Sequence, residues 1–226
     1  MTDPNDGHIV MRIAVLGGTG KEGSGLAIRW ALNGYNVIIG SRDEERAAAK
    51  ADEINTKLGG DYLSGMENSA AAEAADLIVL SVPYGAHKAT LEGVKAQLSG
   101  KILIDVTVPL KPPAVRTVHL PEGNAAGIEA QNFLGDDVKV VSAFQNISYI
   151  KLKEADADVD CDVLVCGNDK EAKNEVIKLI EAAGMRGFDA GPIENAVAIE
   201  ALTPVLLYLN KAYGVKSSGI RLTGIE

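Results

Sequence analysis

The sequence predicts an α/β fold, a doubly wound parallel sheet with a small C-terminal α/β domain. Short aliphatic runs alternate with longer segments of helical periodicity, which is the pattern of repeated βαβ units. A glycine cluster at residues 17–23 follows the first aliphatic run directly. The 226 residues are 46% hydrophobic but only 4% aromatic, and this composition is typical of aliphatic cores between helices and a sheet.

The first elements form one complete βαβ unit. Arg12–Leu16 is an aliphatic run ended by two glycines, so it is predicted to be a buried strand. A helix is predicted over Glu22–Leu32, where an Asn-Gly pair ends the apolar periodicity. A second strand, Asn36–Gly40, leads into a helix over Asp43–Leu58, which either Asp43 or Ser41 is placed to cap.

The same reasoning assigns the rest of the chain. Four prolines exclude regular structure from Thr107–Gly123, which is predicted to loop over one edge of the sheet. We expect a disordered extension at 1–11, a large domain at 12–145 and a small domain covering a cleft at 146–226. The remaining predicted strands are Tyr62–Ser64, Asp76–Val82, Lys101–Val106, Lys139–Phe144, Asp162–Cys166 and Phe188–Ala190, and the remaining helices are Ser69–Ala75, Tyr84–Leu98, Ala125–Leu134, Lys170–Ala183 and Glu194–Tyr213.

The composition excludes several classes of function. The net charge is −9 without a basic stripe, so nucleic acid is not expected as a partner. No apolar run has the length needed to cross a membrane, and no secretory signal is present, so a cytoplasmic protein acting on a small molecule is predicted. Cys161 and Cys166 are expected to be buried thiols, and no metal site is predicted.

The glycine cluster carries the strongest signal. Gly18, Thr19, Gly20, Lys21, Glu22 and Gly23 fit G-x-G-x-x-G between a strand and a helix. In this motif the first glycine permits a tight turn, the second admits a pyrophosphate, and the third allows close packing of helix on strand. An ordinary glycine-rich turn would not need the surrounding βαβ unit. The motif therefore predicts a Rossmann-type, dinucleotide-binding domain.

The end of the second strand indicates which dinucleotide binds. NAD-binding domains usually place an acidic residue there, but this strand ends in Gly40-Ser41-Arg42. A hydroxyl and a guanidinium suit a 2′-phosphate, and Arg46 lies one helical turn further on. Alternatively, the arginines belong only to a solvated helix of mixed charge. We predict NADP(H), bound by Ser41, Arg42 and Arg46.

No catalytic acid, base or nucleophile is predicted. Ser81-Val82-Pro83 ends the fourth strand at the carboxyl edge of the sheet, where Val82 is placed to line a nicotinamide. His87 follows one turn later. Hydride transfer needs no base by itself, so His87 is interpreted as a surface or capping residue rather than a catalytic one.

Six segments of the chain carry a further signal when they are taken together. They are the Gly-Gly-Thr-Gly loop, the Val-Ile-Ile-Gly-Ser-Arg strand, Ser-Val-Pro, Cys-Gly-Asn-Asp at Cys166–Asp169, Asp-Ala-Gly-Pro at Asp189–Pro192 and Glu-Ala-Leu-Thr-Pro at Glu200–Pro204. In these segments the chain resembles the NADPH-dependent coenzyme F420 reductases, also called F420H2:NADP oxidoreductases. The similarity runs from Met11 to about Gly219.

The resemblance implies a deazaflavin ring lying against the nicotinamide in a cleft between the two domains. It adds Ala86, Val108 and Tyr149 to the cofactor-binding residues, and it implies a homodimer. Where archaeal members show His-Thr-Ile-Pro, this chain has Gln145, Asn146, Ile147 and Ser148. These four residues are expected to shape the substrate pocket.

The resulting hypothesis is direct hydride transfer between C4 of the nicotinamide and C5 of F420, with the protein positioning two planar rings. Three alternatives remain open at this point. In the first alternative, the acceptor is a flavin or another planar compound instead of F420. In the second, the chain is an imine or β-hydroxyacid reductase, and in the third it is a non-enzymatic regulator that senses NADP(H). Leu206, Leu207 and Leu209 are interpreted as helix core or dimer interface, with cover of the pocket as the alternative.

Overall fold

The computed structural model describes residues 11–153 and 159–225. The extension predicted at 1–11 therefore lies outside the described residues, except for Met11. A single eight-stranded sheet runs through the molecule in the order β3-β2-β1-β4-β5-β6-β7-β8. The strands are β1 (Arg12–Leu16), β2 (Asn36–Ser41), β3 (Leu63–Glu67), β4 (Leu77–Leu80), β5 (Ile102–Asp105), β6 (Lys139–Ser142), β7 (Asp162–Gly167) and β8 (Arg186–Asp189).

Helices cover both faces of this sheet, as a doubly wound fold requires. On one face, α1, α2, α6 and α7 pack on side chains such as Val15, Val79 and Val163. On the other, α3, α4, α5 and α8 pack on the alternate side chains, such as Leu16 and Leu80. The helices are α1 (Lys21–Leu32), α2 (Glu44–Leu58), α3 (Asn68–Ala74), α4 (Tyr84–Val94), α5 (Ala126–Leu134), α6 (Tyr149–Leu152), α7 (Lys170–Ala182) and α8 (Ala196–Ala212).

The sheet is continuous across residue 145, where the boundary between two domains is predicted. β6 and β7 pair in the antiparallel direction, with Ser142 opposite Cys166, whereas every other pair is parallel. The last two strands therefore extend the first six rather than form a separate sheet. The division at 145 stays a prediction.

Arg29 fastens α1 to the C-terminal part of the chain. Its guanidinium is fully buried and donates hydrogen bonds to the carbonyl oxygens of Lys151, Leu152 and Ala183, at 3.1, 3.3 and 2.8 Å. Neighbouring Trp30 donates its indole N–H to the Leu179 carbonyl at 2.8 Å. A buried guanidinium is stable only when its donors are satisfied, so these bonds hold the last turn of α1 against the C-terminal part of the chain.

Most predicted elements are present, with ends shifted by at most four residues; the largest shift is at the helix predicted to end at Leu98, which ends at Val94. The strand predicted to end at Phe144 stops at Ser142, because Phe144 has a positive φ of 75°. The connection predicted at 145–153 contains the short helix α6. Thr107–Gly123 has no helix or strand, as its prolines predicted. Cys161 and Cys166 are free and buried, which confirms the prediction for the thiols.

Candidate active site

The glycine loop packs directly on the ends of two neighbouring strands. The amides of Gly17 and Gly18 both donate to the Gly40 carbonyl, at 3.1 and 3.2 Å. A Cβ on Gly17 would lie 2.4 Å from the Ser81 carbonyl oxygen, and one on Gly23 would lie 3.1 Å from the Ser81 hydroxyl oxygen. The loop therefore holds the carboxyl ends of β1, β2 and β4 together at one point.

The turn itself depends on Gly17, one residue before the motif. Gly17 has φ of 75°, a left-handed conformation that side chains strongly disfavour. Gly18, to which the sequence assigned this role, is instead restricted by space, because a Cβ there would lie 2.7 Å from the Val15 carbonyl oxygen. Gly18 lies in the turn as predicted, but the left-handed conformation that requires glycine is at Gly17.

The start of α1 offers an anion three free backbone donors. Gly20 is the N-cap and supplies no side-chain cap. The first hydrogen bond of the helix joins the Ser24 amide to the Gly20 carbonyl. The amides of Lys21, Glu22 and Gly23 therefore have no acceptor among the described residues, as the first turn of an uncapped helix requires. This arrangement fits a dinucleotide pyrophosphate.

Glu22 would repel that phosphate if it were ionised. Burial raises the pKa of Glu22 to about 8, so its carboxyl is mainly neutral at pH 7. The positive end of the helix is therefore not cancelled by a carboxylate.

The connection from β2 into the first turn of α2 carries a hydroxyl and two guanidinium groups. Ser41 is buried, whereas Arg42 and Arg46 are exposed. Asp43, the residue after Arg42, caps α2 by accepting a hydrogen bond from the Arg46 amide at 3.1 Å. Neither arginine side chain forms a salt bridge within residues 11–153 and 159–225. This surface fits a 2′-phosphate.

A cleft of about 630 Å³ opens beside the loop. This volume is within the usual range for small-molecule sites. Of the predicted site residues, Gly20, Lys21, Glu22, Val82, Val108, Gln145, Asn146, Ile147, Ser148 and Tyr149 line it. The structure therefore brings the glycine loop, the end of β4 and the 145–149 segment to one cavity.

Other predicted residues lie outside this lining. Gly18 and Thr19 are in the loop and Gly23 is in the first turn of α1. Ser41 ends β2, Arg42 follows it, and Arg46 is in the first turn of α2. Ala86 lies in the first turn of α4, where its amide donates to the Pro83 carbonyl.

Three elements hold the 145–148 segment in place. The Gln145 side-chain amide donates to the Asp105 carbonyl, and that of Asn146 donates to the Asp162 carbonyl, each at 2.7 Å. The Thr203 hydroxyl donates to the Gln145 carbonyl at 2.6 Å. These hydrogen bonds hold both amide side chains in place. The side-chain oxygens of Gln145 and Asn146 have no hydrogen-bond partner among the described groups. The left-handed Phe144 directly before them is the type of backbone feature that accumulates at functional sites.

Tyr149 connects this segment to the glycine loop. The Lys21 ammonium lies 5.0 Å from the centre of the Tyr149 ring, and that of Lys153 lies 5.3 Å from it. Both distances are within the range of cation–π attraction. Two positive charges therefore flank one aromatic wall of the cleft.

His87 is not the surface or capping residue that the sequence predicted. It is 2% exposed, and its Nε2 lies 2.7 Å from a carboxylate oxygen of Asp105. Burial alone would lower the pKa of His87, but the hydrogen bond and charge of Asp105 raise it above its ordinary value. Asp105 also accepts a hydrogen bond from the amide of Thr107, a residue of the cleft lining, at 2.9 Å.

Helix α8 forms one wall of the cleft. Leu206 and Leu207 line it together with Thr203 and Asn210. The interpretation of these leucines as core or interface alone was therefore incomplete, whereas Leu209 is half-buried outside the lining. Sequence reasoning also missed Thr107, because it looked like part of a proline-rich loop, and Asn210, which has no motif.

Comparisons with known proteins agree with this geometry. Residues 12–109 match the family described as NADP oxidoreductase, coenzyme F420-dependent. The F420-dependent NADP reductase of Methanocaldococcus jannaschii is 45% identical, covering 96% of this chain and all of that protein. The enzyme of the same name from Methanothermobacter thermautotrophicus is 42% identical over 96% of this chain and 97% of its own.

A solved structure has the same fold over nearly the whole chain. It comes from Arthrobacter sp. FB24, its description gives F420-dependent NADP reductase as an assumed activity, and it superposes with a TM-score of 0.81 at 29% identity. The match covers 94% of this chain and 99% of that one. The similarity therefore includes the C-terminal strands and α8 as well as the glycine loop.

Proposed function

Because the chain belongs to the family of F420-dependent NADP reductases, we propose that it transfers a hydride between NADP(H) and coenzyme F420. The observation that carries this proposal is the single cleft that joins the free amides of the glycine loop to the 145–149 segment. Such a cleft allows two planar rings to be held together without water between them.

On the NADP side, the first-turn amides of α1 bind the pyrophosphate, and Ser41, Arg42 and Arg46 bind the 2′-phosphate. The charge and exposure of these arginines support this assignment. Thr19 and Gly20 complete the loop contacts. Val82, half-buried at the end of β4, packs on the nicotinamide side together with Val108.

On the acceptor side, Gln145, Asn146, Ile147, Ser148 and Tyr149 shape the pocket for the deazaflavin. Reduced nicotinamide supplies the hydride when it is bound. The protein contributes position, since hydride transfer between two planar rings needs no general base. The names of the relatives favour F420 over a flavin, and they favour an enzyme over an NADP(H) sensor.

We also propose a homodimer, and an exposed apolar surface on α8 supports it. Val205 is 44% and Tyr208 59% exposed, and Tyr213 directly after the helix is 76% exposed. Exposed apolar groups that cluster on one element are typical of an interface. We also infer a cytoplasmic enzyme. Within the described residues, no helix combines the length and the apolar character needed to span a bilayer.

Steady-state kinetics test the function. Purified protein should reduce F420 with NADPH, with a much lower kcat/KM for NADH and little activity with FMN or riboflavin. Gln145→Ala should raise the KM for F420 and leave the KM for NADPH unchanged. Lys139→Ala, a change on β6 away from the cleft lining, is the control. Reduction of FMN but not of F420 would contradict the proposal.

A further inference from the structure

The chain after α8 turns back and lines the cleft in a fixed conformation. Asn210 holds this segment at two points, accepting from the Val215 amide through its backbone carbonyl at 3.0 Å and from the Ser218 amide through its side chain at 2.8 Å. The Ser218 hydroxyl donates to the Leu206 carbonyl at 3.3 Å. Lys216 lies between these two anchors, so its backbone is held at the cleft wall.

The cleft lining around Lys216 is positively charged, although the chain as a whole is acidic. The whole chain has a net charge of −9, yet the cleft lining contains the two ammonium groups of Lys21 and Lys216. Glu22 is the carboxyl in that lining, and burial raises its pKa to about 8. Lys216 forms no salt bridge with any residue in the described parts of the chain. Within residues 11–153 and 159–225, the cleft therefore carries a positive charge at Lys216 that no salt bridge offsets.

Lys216 belongs to the acceptor side of the cleft rather than to the NADP side. The phosphates of NADP(H) are assigned to the glycine loop and to Ser41, Arg42 and Arg46. Lys216 and Ser218 instead share a wall with Thr203 and Leu207, and Thr203 holds the 145–148 segment.

We propose that Lys216, together with the Ser218 segment, binds an anionic side chain of the hydride acceptor, a phosphate or carboxylate group. The enzyme then prefers an acceptor with a charged side chain over the same ring without one. This proposal rests on the proposed function in placing the acceptor in the cleft. It adds a residue that selects the acceptor by its side chain and not by its ring.

The test compares acceptors that share a ring but differ in charge. Two acceptors are used: intact F420, and its ring and ribityl fragment without the anionic tail. For each, the dissociation constant is measured in the presence of NADP⁺, and the KM is measured with NADPH as the hydride donor. The variants are Lys216→Ala and Lys216→Glu. Lys211→Glu, an exposed residue of α8 outside the cleft lining, is the matched control for overall charge.

We expect Lys216→Ala to weaken intact F420 by about fivefold and Lys216→Glu by about tenfold or more, as for one charge pair near water. The tail-less fragment and NADPH should bind as to the wild type, and high salt should reduce the wild-type preference. Equal weakening of both acceptors, weakening of NADPH, or the same effect in Lys211→Glu would overturn the proposal. Tight binding of F420 without turnover would contradict the proposed function instead, while the binding comparison still decides the role of Lys216.

Discussion

Replacing Arg42 with alanine tests the choice of dinucleotide. The side chain is exposed and forms no salt bridge within the described residues, so its removal leaves no partner unpaired. The binding free energy that NADPH loses is then only that of the contact between Arg42 and the 2′-phosphate. Two unit charges 4 Å apart in water attract by about 1 kcal/mol, and the phosphate carries nearly two charges at pH 7.

The total of about 2 kcal/mol corresponds to roughly a 30-fold loss of NADPH affinity. NADH has no 2′-phosphate, so its affinity should change by less than about twofold. Fluorescence titration measures both dissociation constants. Lys57→Ala is the matched control, because it removes an exposed cation from the other end of α2. An equal loss for NADH and NADPH, or no loss for either, would refute the role of Arg42 at the phosphate.

Three further predictions follow from the same structure. Gly17→Ala should lower the free energy of unfolding by at least about 2 kcal/mol and abolish NADPH binding, because its Cβ would lie 2.4 Å from a carbonyl oxygen at φ of 75°. Gly93→Ala, in α4 with open space around it, should instead stabilise by about 0.5–1 kcal/mol in urea unfolding; a loss in both variants would contradict the packing argument. The pKa of Glu22 is about 8 against an ordinary value of 4.5, so the folded state holds this proton more tightly and loses stability as the pH rises through that window. The free energy of unfolding of Glu22→Gln should therefore rise relative to that of the wild type as the pH increases from about 5 to about 8.5. The same difference between the two proteins at both pH values would show that the pKa of Glu22 is not raised by burial. Tyr208→Glu should give a monomer in analytical ultracentrifugation, and an unchanged mass would exclude this face as the interface.

The sequence predicted the parts of the fold that local chemistry determines. Strand β1, the glycine loop and helix α1 are adjacent in the chain, so their pattern alone is enough to define them. Asp43 was one of two candidates for the cap of α2, and its carboxylate accepts the Arg46 amide. These features depend on neighbours within about one turn.

The features that were missed depend on contacts between distant residues. Arg29 looks like a surface residue of an amphipathic helix, but its partners lie more than 120 positions away. The pairing of His87 with Asp105 joins α4 to the end of β5, and no local pattern marks it. The continuity of the sheet from β6 to β7 depends on an antiparallel pair, which the length and composition of the connection do not reveal.

The candidate site also has a part that depends on residues close in the chain and a part that depends on contacts between distant residues. The glycine loop and the Ser41–Arg42 end of β2 were predicted from spacing and charge. The residues that hold the acceptor side, such as Thr203 and Asn210, contact the cleft only because α8 folds back over the 145–148 segment.

The most direct test of the central claim follows the hydride itself. NADPH stereospecifically deuterated at C4 is mixed with the enzyme and F420 in a single turnover without oxygen, and the reduced F420 is analysed by mass spectrometry. Direct transfer predicts that deuterium from one face of the nicotinamide appears in F420 and none appears in water, with one F420 bleached for each NADPH oxidised. Deuterium in the solvent, or oxidation of NADPH without reduction of F420, would contradict the account.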